Sequence, residues 1–220
     1  MKRLPPWAPY AIPFLLFLAL TSLEPLFRTY YPLVYFTKIL LVTLCALCLR
    51  PDDLLRGAVS GRSVGTAVAF GVVLTALWFA VDAVTPVWLS LGKRPAYDPF
   101  REIASPLERN IFLAVRFFGL VVLVPWIEEV FYRGFLLRFV TDMDRWKTLA
   151  VDKFSMAAIG VNIALFASSH PEWLAAAVFA VGMIGCLKVT GDVRACILAH
   201  AVTNLLLGIY VIHFGAWKYW

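Results

Sequence analysis

Charged residues are scarce in this chain of 220 residues, in which Asp, Glu, Lys and Arg together make up 15% of the sequence. Soluble domains average about 25% charged residues. Hydrophobic residues reach 61%, and no stretch is polar enough to form a separate soluble domain. The shortage of charge therefore excludes an ordinary soluble protein. It predicts a multi-pass integral membrane protein whose single domain spans residues 1–220.

Cysteines and clustered basic residues are also few. Cys45 and Cys48 form a C-x-x-C within an apolar run, but no second matched pair exists, which favours buried small side chains over a zinc or redox site. The net charge of +6 is spread over several segments, without the clustered basic and aromatic patch that nucleic-acid binding requires. We therefore expect no metal, no cofactor and no nucleic-acid partner, and we expect the lipid bilayer as the surrounding medium.

Long apolar runs bounded by charged or Pro- and Gly-containing segments predict an all-α bundle of about seven transmembrane helices. The predicted spans are 8–23, 32–49, 64–84, 109–140, 154–170, 173–187 and 195–214. The fourth is too long for one untilted span, and Pro125 near its middle predicts a kink or a break, so eight helices are the alternative. No small-residue cleavage site follows Met1, Lys2 and Arg3, so the first run is expected to be a retained span.

The distribution of Lys and Arg favours a cytoplasmic N-terminus. With that orientation, the cytoplasmic segments carry more basic residues than the segments on the other side, although the loop 92–108 with Lys93 and Arg94 reduces the difference. Glu128 would then lie in the outer half of the bilayer.

Two adjacent glutamates, Glu128 and Glu129, lie inside apolar sequence with Arg133 close behind. A charge at bilayer depth costs at least about 2.5–3.5 kcal/mol, and such residues normally face the interior of a bundle. Glu129 and Arg133 are four residues apart and can pair on one helix face, whereas Glu128 lies about 100° away around the helix. Two hypotheses follow: Glu128 acts chemically while Arg133 holds Glu129, or all three form a buried ion network that fixes the helix position.

Two of the three histidines lie in polar patterns of their own. His170 ends the fifth predicted span, four residues after Phe166, and His200 is four residues before Asn204 in the last span. Counting at 1.5 Å per residue puts Glu128 and His170 at similar depth on neighbouring antiparallel helices, with His200 and Asn204 within about 10 Å of that level. We therefore expect these side chains to converge.

These patterns, taken together, resemble the CAAX-protease and bacteriocin-processing family of glutamic intramembrane proteases, which includes the Ras-converting CAAX endopeptidase. The three motifs are Glu-Glu-x-x-x-Arg (Glu128, Glu129, Arg133), Phe-x-x-x-His (Phe166, His170) and His-x-x-x-Asn (His200, Asn204). They cover residues 128–204, inside a catalytic core expected at about 109–214.

The resemblance implies an intramembrane endopeptidase in which Glu128 and His170 activate a water molecule. His200 and Asn204 would form the oxyanion hole, Glu129 and Arg133 would support the site, and Phe166 would pack the pocket. It also implies a membrane-tethered protein or peptide substrate, with a prenylated CAAX-like tail, a bacteriocin leader or a C-terminal sorting tag as candidates. The predicted orientation favours exported substrates. We expect such a protein in a bacterial or archaeal cell membrane.

Two other functions stay open at this point. A metalloprotease could use Glu128, Glu129, His170 and His200 as ligands, although the sequence has no H-E-x-x-H motif. A non-catalytic membrane protein, for bacteriocin immunity, partner binding or proton-coupled transport, could also use intramembrane Glu and His residues.

Overall fold

The computed structural model describes residues 4–56, 58–92 and 96–220, and within these ranges it contains helices and no strand. Lys2, Arg3, Lys93 and Arg94, which contribute to the orientation prediction, lie outside the described residues. Seven long helices follow one another: α1 Ala8–Leu23, α2 Tyr31–Cys48, α3 Gly61–Val84, α4 Pro106–Thr141, α5 Met156–Ser168, α6 Trp173–Thr190 and α7 Val193–Phe214. Short helical turns, including Asp52–Leu55 and Pro99–Glu102, lie in the connections.

The protein is an integral membrane protein, as the sequence predicts. Within the described part of the chain, five helical stretches are long and apolar enough to cross a bilayer, and the first of these, Ala8–Cys48, contains both α1 and α2. The shorter α5 is also apolar. Because α1 and α2 pack against each other on either side of the bend at Phe27, they count as two helices. The all-α bundle of about seven helices is therefore confirmed.

Helix α4 is continuous, so of the two alternatives predicted at Pro125, a kink or a break, the break does not occur. Its α-helical parts are interrupted by two π-type turns, Gly119–Leu123 and Val130–Leu136, which flank Val124–Glu129. A π turn bonds each N–H to the carbonyl five residues earlier and thus holds one more residue than an α turn. The helix accommodates Pro125 by this local change of hydrogen bonding, and the glutamates lie between the two irregular turns.

Several helix ends are fixed by local capping. The side chains of Ser60, Ser105 and Ser155 each accept a hydrogen bond from a backbone N–H in the first turn of α3, α4 and α5. Gly191 and Gly215 end α6 and α7 with φ of +64° and +63°, a left-handed conformation that glycine adopts without steric cost. These signals explain why the observed boundaries lie close to the predicted ones.

Helix α3 packs along both α6 and α7. At Gly71 the backbones approach so closely that an added Cβ would lie 2.6 Å from the carbonyl oxygen of Ala199. Thr203 uses this approach to donate a hydrogen bond of 3.0 Å to the Gly71 carbonyl. Close backbone contact through a small residue is typical of membrane helices, where van der Waals packing and interhelical hydrogen bonds drive association.

Candidate active site

The two adjacent glutamates of α4 have different surroundings. Glu129 and Arg133 are both fully buried, and the Arg133 Nη1 atom lies 3.2 Å from the Glu129 Oε1 atom. Glu128 lines a cavity instead. The i, i+4 spacing thus produces the ion pair that it predicts, and the neighbouring carboxylate faces a different direction.

Glu129 also contacts a second helix. Its Oε1 atom lies 2.8 Å from the Nδ1 atom of His200, a residue of α7. Because a carboxylate oxygen accepts the hydrogen bond, Nδ1 carries the proton. Glu129 therefore joins α4 to α7 and orients His200, as a carboxylate orients the histidine of a catalytic triad.

His170 lies just beyond the end of α5, where its ring is held by local contacts. Its Nδ1 atom is 2.9 Å from the carbonyl oxygen of Phe166 and 3.1 Å from the hydroxyl of Ser169. A carbonyl can only accept, so Nδ1 donates to it and the Nε2 atom of the neutral ring keeps a lone pair. The imidazole also stacks on the Phe166 ring, with 4.7 Å between centroids. This tautomer makes His170 a suitable acceptor for a proton from water.

Asn204 binds the backbone of α4. Its Nδ2 atom donates a hydrogen bond of 2.8 Å to the carbonyl of Leu120. In the π turn the N–H of Val124 bonds to the Gly119 carbonyl, so the next bond in this register would run from residue 125 to residue 120. Pro125 has no N–H, and Asn204 supplies the missing donor. The second hydrogen of the same amide group stays available to a ligand.

Phe166 connects these parts through aromatic contacts. Its ring lies under the Arg133 guanidinium at 4.9 Å, and it stacks on Phe179 as well as on His170. Phe179 in turn contacts the His200 ring edge to face, with 4.9 Å between centroids. The two histidines therefore sit on one rigid aromatic layer, which fixes their separation.

One cavity of about 460 Å³ brings the polar side chains together. Glu128, His170, His200 and Asn204 line it, as does Phe166. Its other lining residues include parts of the second half of α1, the first half of α2, the part of α4 before Glu128 and the C-terminal turn, so it occupies the half of the bundle remote from the start of α1. Among the described residues there is no group of three or more His, Cys, Asp or Glu side chains arranged to share a metal ion.

The sequence was compared with models of known protein families, with curated proteins and with solved structures. Residues 110–206 match the model of the family described as type II CAAX prenyl endopeptidase Rce1-like. Over this segment the chain is similar to the Rce1-like family. No curated protein and no solved structure matches the chain.

The Rce1-like segment runs from the first part of α4 to the middle of α7, and it contains all the residues singled out by the three sequence motifs. The similarity indicates a CAAX-type intramembrane protease, that is, a hydrolase that acts on a membrane-associated peptide. Residues 1–109 lie outside the match but supply much of the cavity wall.

The structure adds polar residues that sequence reasoning did not identify. Asn162 is fully buried and donates to the carbonyl of Tyr132, inside the second π turn of the Rce1-like segment. Glu24, Lys38 and Arg116 line the far part of the cavity. Single charges within apolar runs are the signal that could have indicated Lys38 and Arg116, since such residues normally face a bundle interior.

Proposed function

We propose that this protein is an intramembrane glutamic endopeptidase that hydrolyses a peptide bond in a membrane-tethered substrate. The observation that carries the proposal is the cavity lined by Glu128, His170, His200 and Asn204. Side chains from three parts of the chain meet there. The imidazoles of His170 and His200 are each held by a hydrogen bond from Nδ1, to the Phe166 carbonyl and to Glu129 respectively. Preorganisation of this kind supports catalysis more directly than it supports packing.

Glu128 is the proposed general base, with His170 as its partner. Together they orient a water molecule and accept its proton as the water oxygen bonds to the scissile carbonyl carbon. The lone pair on His170 Nε2 suits this role, because Nδ1 is committed to the Phe166 carbonyl. As the C–N bond breaks, the proton passes to the leaving nitrogen, which departs as an amine.

His200 and Asn204 are the proposed stabilisers of the oxyanion. Asn204 can donate its second amide hydrogen to the developing charge. His200 can donate from Nε2 when that nitrogen carries a proton, and the bond from Nδ1 to Glu129 fixes the orientation of the ring. Glu129 thus supports the reaction by positioning His200, while its ion pair with Arg133 anchors the carboxylate itself.

The proposed substrate is a peptide tail held at the membrane, with an exported protein favoured. The cavity occupies the half of the bundle remote from the N-terminal end of α1. A cytoplasmic N-terminus, which the distribution of basic residues predicts, makes this the outer half. A C-terminal sorting tag or a bacteriocin leader then fits better than a cytosolic prenylated tail.

The test is cleavage by purified protein in lipid nanodiscs. Peptide probes that carry a farnesylated Cys-x-x-x tail, an apolar C-terminal anchor or a leader sequence are incubated with the wild type and with Glu128→Gln, and products are identified by mass spectrometry. We expect cleavage of at least one probe by the wild type, its loss in Glu128→Gln, and unchanged activity in the presence of chelator.

Other outcomes of this experiment would indicate a different function or a different catalytic base. Activity that disappears with chelator and returns with added metal would indicate a metalloprotease. A Glu128→Gln variant that cleaves at a rate near that of the wild type would remove Glu128 as the base. A wild type that cleaves no probe but binds a partner equally well with and without the Glu128 charge would indicate a non-catalytic membrane protein.

A further inference from the structure

The cavity continues beyond the proposed active site to a group of basic side chains. Arg28, Lys38 and Arg116 line this second end, together with one carboxylate, that of Glu24. Arg28 lies at the exposed rim, whereas Lys38 is buried and Arg116 is partly buried. The cavity therefore has a proposed catalytic end and a cationic end, and a ligand that fills it meets both.

The charge of Lys38 is already compensated. Its Nζ atom lies 2.6 Å from Glu24 Oε1 and donates to the Thr21 hydroxyl at 3.2 Å. The same ammonium group also lies over the rings of Phe17 and Tyr35. These contacts build a rigid wall between α1 and α2, and they leave the net positive charge of this end on the arginines.

Arg116, which is partly buried, has no carboxylate partner comparable to the one that Glu24 provides for Lys38. Its Nη1 atom donates to the hydroxyl of Tyr31 at 2.8 Å, and its guanidinium lies over the rings of Tyr35 and Trp220 at 4.6 and 5.4 Å. Within the described residues, no carboxylate lies at ion-pair distance from it. A guanidinium with several donors and only a phenol and ring faces as partners is suited to bind an anion, and a carboxylate matches its planar geometry.

The first π turn of α4 places Arg116 on the same side of the helix as Glu128. In a regular α-helix, twelve residues would leave the two side chains about 120° apart. The extra residue held by the turn Gly119–Leu123 reduces the effective separation to eleven residues, which is about three full turns. Both side chains consequently line one cavity, roughly 16–18 Å apart along the helix axis.

We propose that Arg116 forms a subsite for the free C-terminal carboxylate of the peptide substrate, an inference that rests on the proposed endopeptidase function. An extended peptide spans about 3.3–3.6 Å per residue, and the arginine side chain reaches part of the way back toward Glu128. The carboxylate would therefore lie about three to five residues after the scissile bond. Such a subsite restricts cleavage to peptide bonds near the C-terminus of the substrate. The enzyme then removes a short C-terminal fragment and does not cleave bonds in the interior of the substrate chain.

The experiment compares two forms of one probe. A farnesylated peptide ending in Cys-Val-Ile-Met is prepared with a free C-terminal carboxylate and as the C-terminal amide, and both are tested in nanodiscs of phosphatidylcholine. We expect the wild type to cleave the amide about 10–100-fold less efficiently, mainly through KM, as loss of one charge-assisted contact predicts. Arg116→Gln should cleave both forms at the low rate, and Arg116→Lys should keep part of the preference. Arg145→Gln, which changes an exposed arginine outside the cavity, is the matched control and should behave as the wild type.

The outcomes separate this inference from the function on which it rests. Equal cleavage of acid and amide by the wild type overturns the subsite and leaves the protease intact. If neither form is cleaved, the proposed function is decided by the three probe classes above, and binding of both forms to Glu128→Gln still tests the subsite: the acid must bind more tightly, and Arg116→Gln must abolish the difference. An Arg116→Gln effect that appears only with phosphatidylglycerol in the nanodisc, for acid and amide alike, assigns the arginine to a lipid phosphate and overturns the proposal.

Discussion

Removal of the Glu129 charge tests how the site is supported. Glu129 and Arg133 are both fully buried, and one oxygen of Glu129 contacts both Arg133 and His200. The Nε and Nη2 atoms of Arg133 make no hydrogen bond with the described residues. Glu129→Gln keeps the shape of the side chain but leaves the guanidinium without a buried counter-charge.

The expected loss of stability is large. Breaking a buried ion pair by removing one partner typically costs about 3–5 kcal/mol, because the remaining charge stays uncompensated. For a chain of this size each kcal/mol lowers Tm by about 2–4 °C, which gives a decrease of about 6–20 °C. The Phe166 ring, 4.9 Å from the guanidinium, offsets a part of this through a cation–π contact.

The matched control is the same change at the adjacent residue. Glu128→Gln removes a carboxylate that faces the cavity, so we expect a much smaller decrease in Tm together with loss of cleavage. Glu129→Gln should lower Tm strongly and should also lower kcat, because His200 loses the carboxylate that orients it. Thermal unfolding in detergent and cleavage are measured on the same preparations.

A double variant completes the test. In Glu129→Gln with Arg133→Met neither buried charge remains, so Tm should recover relative to Glu129→Gln alone. Equal losses of stability in the Glu128 and Glu129 variants would support the alternative in which all three charges form one structural network. A double variant whose loss equals the sum of the two single losses would refute the ion pair as the source of the effect.

Two further predictions concern Asn204 and the packing of α3. Asn204→Ala should lower turnover by about 10²–10³ with little change in KM, and should lower stability by about 0.6 kcal/mol because the Leu120 carbonyl loses its donor. Adding Pro125→Ala restores a backbone N–H near that carbonyl, so Tm should return while turnover stays low; recovery of both would make Asn204 purely structural. Gly71→Ala should destabilise by about 1–3 kcal/mol, because the added Cβ meets a backbone carbonyl of α7 at 2.6 Å. Gly65→Ala, on the same helix with open space around it, is the control, and a Tm equal in the two variants would contradict the close α3–α7 approach.

The sequence by itself determined the helices and the relations within each helix. Hydrophobic runs of sufficient length identify membrane helices, since a bilayer requires every backbone group to be bonded within its own segment. Helical periodicity then put Glu129 and Arg133 on one face, and the structure contains that ion pair. His200 and Asn204 share a face for the same reason, and both line the cavity. The role of each residue in catalysis stays a prediction.

Only the tertiary structure decided which faces meet. The bond between Glu129 and His200 joins residues 71 positions apart, and the one between Asn204 and Leu120 joins residues 84 positions apart; no local pattern specifies either. The sequence likewise did not reveal that α4 continues through Pro125, where the Leu120 carbonyl in the π turn accepts its hydrogen bond from a side chain of another helix. The extra residue in that turn rotates the side chains of the preceding part of α4 by about 100° around the helix axis, relative to those that follow it. Arg116 and Glu128 therefore line the same cavity, although regular helical periodicity would leave their side chains about 120° apart.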